Sequence, residues 1–136
     1  MTRDDCIFCK LANGQIPTNV IYEDDDFAVI LDASPASKGH SLIIPKQHYD
    51  DLFGIDESAA SKVMPLAKKL AAHMKEVLGC DGINVLQNNG EEAGQTVFHF
   101  HTHVIPRYKG AAGILNWSHV SFTDEEMQDI KESLKM

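Results

Sequence analysis

The sequence has no long hydrophobic run: no segment approaches the roughly 20 apolar residues of a membrane span, which argues against a membrane protein. Cations are also scarce, with 12 Lys+Arg against 20 Asp+Glu and a formal charge of −8. An acidic chain repels nucleic-acid backbones, so coating of DNA or RNA polymers is excluded as a general role. Any phosphate-bearing partner must be held by a local cationic or hydrogen-bonding site, which suits a small ligand. Cysteine is limited to Cys6, Cys9 and Cys80, an odd count unsuited to a disulfide framework. The opening MTRDDCIFCK is acidic where a secretory signal needs a basic stretch followed by an apolar run, so a cytoplasmic chain is expected. Repeats, low-complexity tracts and linkers are missing. With 43% hydrophobic and 24% charged residues, the composition is that of a globular protein and excludes disorder, a collagen-like fibre or a coiled-coil rod. The 136 residues suffice for one domain with a real core.

Along the chain, Cys6 to Asn13 reads as a short helix ended by Gly14 and Pro17. NVIYED and FAVILD, separated by Asp24-Asp25-Asp26, read as a hairpin, and SLIIP as a third strand ended by Pro45. From the N-cap candidate Asp56, apolar residues at 63, 66, 67, 70, 74, 77 and 78 have helical spacing, with Pro65 expected to kink or break the helix. GINVLQNN reads as a fourth strand, NGEEAGQ as a glycine-rich turn, and TVFHFHTHVIPRY as a fifth strand starting at Thr96. Thr123 to Glu126 forms a capping-box sequence that opens a final helix. The fold class is therefore α+β, with about five short strands. They are expected to be antiparallel, although the long helical crossover between the third and fourth would also permit a parallel pair.

Three of the seven histidines fall in His99-Phe100-His101-Thr102-His103. On an extended strand all three imidazoles share one face. Such a run suits a solvated polar face, a metal site built from alternating ligands, or nucleophilic and acid–base catalysis by neutral imidazole. Cys6-Ile7-Phe8-Cys9 is similarly open. A redox motif should follow a strand, and none precedes it; half of a zinc site needs two further ligands, which His48 and the triad can offer; two small buried hydrophobes need nothing more. Cys80 is read as core.

GHSLIIPKQH followed by NNGEEAGQTVFHFHTHVIPRY closely resembles the histidine-triad (HIT) nucleotide hydrolases and transferases, in particular the bacterial Hit/Hint-like branch with a zinc-binding C-x-x-C. The resemblance spans residues 6–108 of a single 1–136 domain, and the segment 109–136 is variable in the family. It implies a HIT-like fold and a covalent nucleotidyl-histidine intermediate, with His101 as the nucleophile toward the α-phosphorus and His103 bonded to the phosphate oxygens. His40 would support the triad through a histidine–histidine hydrogen bond. Thr96, where better-known members often carry Ser, would donate to the leaving group. Gln95 and the Gly94 turn would line the phosphate, and Asn88 would contact the phosphate or leaving group, with Asn89 as its competitor. Asp32 would hold the ribose hydroxyls, while Ile7, Phe8, Leu11, Ile30 and Ala33 would form the base slot.

The resemblance further implies a structural Zn2+ held by Cys6, Cys9, His48 and His99, and a homodimer joining two five-stranded sheets through an edge such as 83–89. The activity it implies is hydrolysis of purine nucleoside 5′-phosphoramidates or adenylyl-amines, releasing AMP or GMP. Dinucleoside polyphosphate hydrolysis, a nucleotide-binding scaffold, and a metal hydrolase with a catalytic ion on the triad are the alternatives. Trp117 and His119 are candidates to reach a neighbouring subunit's site, and packing explains them equally well.

Overall fold

A computed structural model describes residues 1–111 and 118–136. The N-terminal helix α1 spans Ile7–Ala12, and its N-cap is Cys6, whose Sγ accepts the Cys9 N–H. Strands β1 (Val20–Glu23), β2 (Phe27–Leu31) and β3 (Ser41–Pro45) lead into the long helix α2 (Glu57–Leu78). Strand β4 (Gly82–Gln87), a short 3-10 turn at Glu91–Ala93, β5 (Thr102–Arg107) and the C-terminal helix α3 (Asp124–Leu134) complete the order.

The sheet order is β1-β2-β3-β5-β4, and every neighbouring pair is antiparallel. The parallel alternative left open by the crossover is thereby settled. β5 lies between β3 and β4, so the strands joined by α2 never touch. β2 and β3 read as unbroken apolar runs because both of their faces are covered. Phe27, Val29 and Ile43 point into a cluster with Leu66, Leu70 and Met74 of α2. Their neighbours Ala28, Ile30, Leu42 and Ile44 point the other way, into a second cluster with Cys6, Phe8, Cys9 and Ala12 of α1.

Two elements depart from the sequence expectation. β5 begins at Thr102 rather than Thr96, and β4 ends at Gln87 rather than Asn89. Residues 96–101 leave the ladder because their polar groups find other partners: the Phe100 N–H donates to the Tyr49 carbonyl at 2.6 Å, and the Gln95 amide bonds Asp50 and Val97. Side-chain alternation survives the loss of strand geometry. Phe100 enters the α2-side cluster, while the flanking histidines face α1. Helix α2 runs unbroken through Pro65. Proline denies the Ser61 carbonyl its helical donor, but both residues lie on the exposed side, where water can replace that bond.

Gly39 sets the approach to β3. Its φ is +95°, and a Cβ there would lie 2.6 Å from Leu78 Cδ1 and 3.3 Å from Pro106 Cγ. Gly39→Ala is therefore expected to destabilise the protein by about 1–3 kcal/mol, read as a lower urea midpoint with an unchanged slope.

Candidate active site and metal centre

The C-x-x-C spacing places both thiols on the first turn of α1, where Cys6 is the cap and Cys9 sits one turn on. Residues 46–50 and 96–101 bring two histidines to them. Cys6 Sγ lies 3.3 Å from His99 Nδ1, and Cys9 Sγ lies 3.4 Å from both His99 Nδ1 and His48 Nδ1. All four donor atoms fall within 4.8 Å of one another. A tetrahedral zinc shell of two sulfurs and two nitrogens has sulfur–nitrogen edges of about 3.6 Å, so the observed spacing fits.

The outer bonds orient the same donors. His99 Nε2–H donates to the Pro45 carbonyl at 2.8 Å, and His48 Nε2–H to Asp50 Oδ1 at 2.7 Å, which leaves each Nδ1 lone pair aimed at the thiols. Backbone N–H groups of Arg3 and Cys9 point at Cys9 Sγ and Cys6 Sγ, both at 3.4 Å. Burial pushes the Cys9 thiol up and the His99 imidazolium down to about 4. These four residues could hold a metal ion.

Beside this cluster the remaining histidines form a chain of defined tautomers. His101 Nδ1–H donates to the His99 carbonyl at 2.7 Å, leaving the Nε2 lone pair free. The Phe8 ring stands edge-on to it, with centroids 4.9 Å apart at 87°. The Ala36 N–H donates to His40 Nδ1 at 2.9 Å, so the hydrogen of neutral His40 sits on Nε2 and points at His103 Nδ1, also 2.9 Å away. His103 must then carry its hydrogen on Nε2, as an outward donor. Asp32 Oδ2 lies 3.4 Å from His40 Nε2 and 4.0 Å from His103 Nδ1, and its Oδ1 accepts the Ser34 N–H. The donor atoms of Asp32, His40 and His103 lie within 4.8 Å of one another. The bond from Ala36 nevertheless favours a hydrogen-bond relay over a second cation site. Burial lowers the pKa of His40, His101 and His103, the last to about 4, so all three are neutral near pH 7.

The other expected residues divide. Asn88 lies beneath the turn, with its Nδ2 3.4 Å from where a Gly94 Cβ would stand, and has no side-chain hydrogen bond among the described residues. Asn89 is fully engaged, accepting the Leu52 N–H and exchanging bonds with Gln87. Gln95 requires a correction. It is buried, its Nε2 donates to the Asp50 and Val97 carbonyls, its Oε1 accepts the Gly90 N–H, and its own N–H bonds the Gly90 carbonyl. No donor remains for a phosphate, and the residue shapes the loop instead. Thr96 is exposed. Phe8, Ile30 and Leu11 share the α1-side cluster, while Ile7 and Ala33 are solvent-exposed. Trp117 lies outside the described residues, and His119 is exposed.

Sequence reasoning missed Asp50, the Ala36 N–H, and the contact between Asp32 and the histidine pair. An H-x-D spacing at 48–50 was the only available signal for the first; the other two come from distant segments.

An antiparallel α+β protein with a buried thiol–imidazole cluster joined to a row of neutral histidines is the class that fold and site define. A HIT domain model matches residues 13–110. The chain belongs to the HIT family. It is 41% identical over 128 residues to an uncharacterized HIT-like protein of Methanocaldococcus jannaschii, covering 93% of this chain and 98% of the relative. It is 39% identical over 134 residues to the protein hit of Bacillus subtilis, covering 96% and 92%. Among solved structures, a Streptococcus mutans protein superposes with a TM-score of 0.92 at 34% identity, covering 98% of this chain and 85% of that one. Other relatives have names that state an activity or ligand: an adenosine 5′-monophosphoramidase of Schizosaccharomyces pombe (35% identical, 95% of each chain) and an adenylylsulfatase of Arabidopsis thaliana (43%, 77% of this chain and 53% of the relative). A Zn-bound histidine triad protein of Mycobacterium smegmatis has a TM-score of 0.77 at 35% identity, covering 96% and 93%.

The depressed pKa values have a sign. Below the ordinary value of 6.5 the unfolded chain takes up protons that folded His40, His101 and His103 resist. Stability from these groups is full above that pH and is lost as pH falls toward about 4, the value for His103. The urea midpoint is expected to drop across this window, and imidazole NMR should show His103 neutral until close to its lower end. A His103 titration near pH 6.5 would contradict the assignment.

Proposed function

We propose that the protein is a hydrolase of purine nucleoside 5′-phosphoramidates, or closely related adenylyl derivatives, and that it works through a nucleotidyl-His101 intermediate and releases AMP or GMP. The observation that carries this reading is the His101 tautomer. Its Nδ1–H is occupied by the His99 carbonyl, so the unprotonated Nε2 is the available nucleophile. Nε2 attacks the α-phosphorus, the P–N bond to the leaving amine breaks, and the departing amine takes a proton that solvent supplies and that the water attacking in the second step returns. Thr96 is assigned as the hydrogen-bond donor on that side. His103 Nε2–H donates to the non-bridging oxygens as charge builds on them, with His40 holding its tautomer. Water then attacks phosphorus and returns the electron pair to His101 Nε2. The names of the two enzymatic relatives share the adenylyl group and support a non-nucleotide leaving group.

For binding, Asp32 is assigned to the ribose hydroxyls, its Oδ2 exchanging the histidine pair for the sugar. Phe8, Leu11 and Ile30, with Ile7 and Ala33 outside them, are assigned to the base. Asn88 is preferred over Asn89 for the phosphate, because among the described residues its side-chain amide has no partner, whereas that of Asn89 is bonded to Leu52 and Gln87. The donor set of Cys6, Cys9, His48 and His99 fits a structural Zn2+, which would supply rigidity by tying α1 to the segment carrying the histidines. The domain is read as a HIT core of 6–108 followed by the appended segment 109–136. Edge-to-edge pairing of β4 in a homodimer and a cytoplasmic location complete the reading. Among the described residues, no helix is long and apolar enough to cross a membrane.

His101→Gly is expected to lower kcat/KM for an adenosine phosphoramidate by about 10⁴-fold or more while AMP binding changes little. Intact-mass spectrometry should catch an adenylylated species in the wild type and none in the variant. A diadenosine polyphosphate turned over faster than the phosphoramidate would favour the dinucleotide hydrolases instead. Binding without turnover of either would leave a scaffold.

Metal analysis of protein purified without added zinc should give close to one equivalent, falling sharply in Cys9→Ser together with the thermal midpoint. Metal content well below one equivalent and unchanged in the variant would defeat the zinc assignment.

A further inference from the structure

Helix α3 has an apolar stripe and nothing to bury it against. Met127, Ile130 and Leu134 recur at helical spacing, none of the helix is buried, and among the described residues it packs on no other element. Thr123 caps it through a complete capping box, and Phe122 precedes the cap where a hydrophobic staple to Met127 is placed. An isolated helix of 11 residues is marginal in water, so a capped and strongly amphipathic one implies a docking partner. Its remaining surface is acidic, with five carboxylates against one lysine.

The complement lies on the sheet face remote from the histidines. Helix α2 packs over β3, β5 and β4 and meets β2 through Phe27 and Val29, and a cavity remains between its outer side and the β1–β2 edge of that face. This cavity of about 550 Å³ is walled by apolar groups including Val29, Leu31, Leu70, Met74 and Val77, and edged by Lys38, Lys69 and His73. Lys69 is held above the Tyr22 ring, 5.0 Å from its centroid. An apolar trough with cationic edges matches an apolar stripe flanked by carboxylates in both respects.

We propose that α3 of one copy docks in this α2–β1–β2 groove of a second copy, and that the exchange is reciprocal. Each chain has a helix to place and a groove that can take it. Two copies related by a two-fold axis satisfy both and leave no open end. The formal charge of −8 makes indiscriminate contact between copies repulsive, so a contact that pairs α3 carboxylates with Lys38 and Lys69 is selected. Among the described residues the helix packs on no element of its own chain, which favours exchange over docking at home. The proposal shares with the dimer reading above only the requirement for two copies, and it does not depend on the chemistry at His101.

The test uses full-length chains. Ile130→Cys on one tagged version and Val77→Cys on another, mixed through a mild dissociation step and treated with a short bis-maleimide, should give an adduct joining the two tags. Neither single variant alone should give it, and adding Met127→Asp to the Ile130→Cys version, which keeps the thiol and charges the apolar stripe, should remove it. Both substitutions are at exposed positions, so folding is expected to survive and is checked by circular dichroism. An adduct confined to single chains carrying both cysteines, with none between tags, would assign the groove to the chain's own helix and overturn the exchange. No adduct in either format would overturn docking altogether. A light-scattering mass of two chains with no adduct would leave a β4-paired dimer standing while removing the exchange.

Discussion

One hydrogen bond decides what the histidine row can do: the Nδ1–H of His101 to the carbonyl of His99, two residues earlier. A neutral imidazole has one lone pair to offer, and this bond determines that it is on Nε2. The bond is dependable because its acceptor is fixed twice. The His99 side chain is buried among two thiols and bonded to the Pro45 carbonyl, so the peptide that carries the acceptor oxygen cannot easily turn. The candidate metal cluster and the candidate nucleophile are therefore one mechanical unit. Three alternating histidines occupy three different environments: one locked into the thiol cluster, one with a free nitrogen, and one neutral with its hydrogen held on the outward Nε2 by the chain of bonds from the Ala36 amide through His40.

The sheet makes this arrangement possible by being covered on both sides. α2 burdens one face with the larger apolar cluster, and α1 occupies the other with a smaller one that shades into the histidines. Burial on the α1 side removes the water that would otherwise favour imidazolium, and every histidine of the row is pushed toward neutrality by that same desolvation. Stability and chemistry draw on one feature here. The apolar packing that holds Phe8 and Ile30 beneath the row also sets its protonation state.

Departures from the sequence expectation share a cause. Residues 96–101 alternate as a strand would, yet they leave the ladder because Tyr49 and the Gln95 amide offer competing partners. Gln95 looked like a phosphate ligand and is instead the tie between the glycine turn and the 48–50 segment. Asn88 and Asn89 were indistinguishable as neighbours in a polar run. The structure separates them, because Gln87 and Leu52 engage Asn89 fully and leave Asn88 open. Pro65 sits on a solvent-facing turn of α2, where a missing helical bond is tolerated.

By itself the sequence determined the element types, the α+β class, the short helix carrying Cys6 and Cys9, the shared face of the three histidines and the capping of α2 and α3. All of these are written in short-range spacing, through the periods of helix and strand and the chemistry of caps. Only the tertiary structure decided that β5 enters between β3 and β4, that Asp50 and the Pro45 carbonyl orient the two cluster histidines, that Asp32 faces the His40–His103 pair, and that α3 packs on no other element among the described residues. Those relations join residues tens of positions apart. They depend on which of several equally suitable partners the packing brings within hydrogen-bond reach, and no local pattern carries that information.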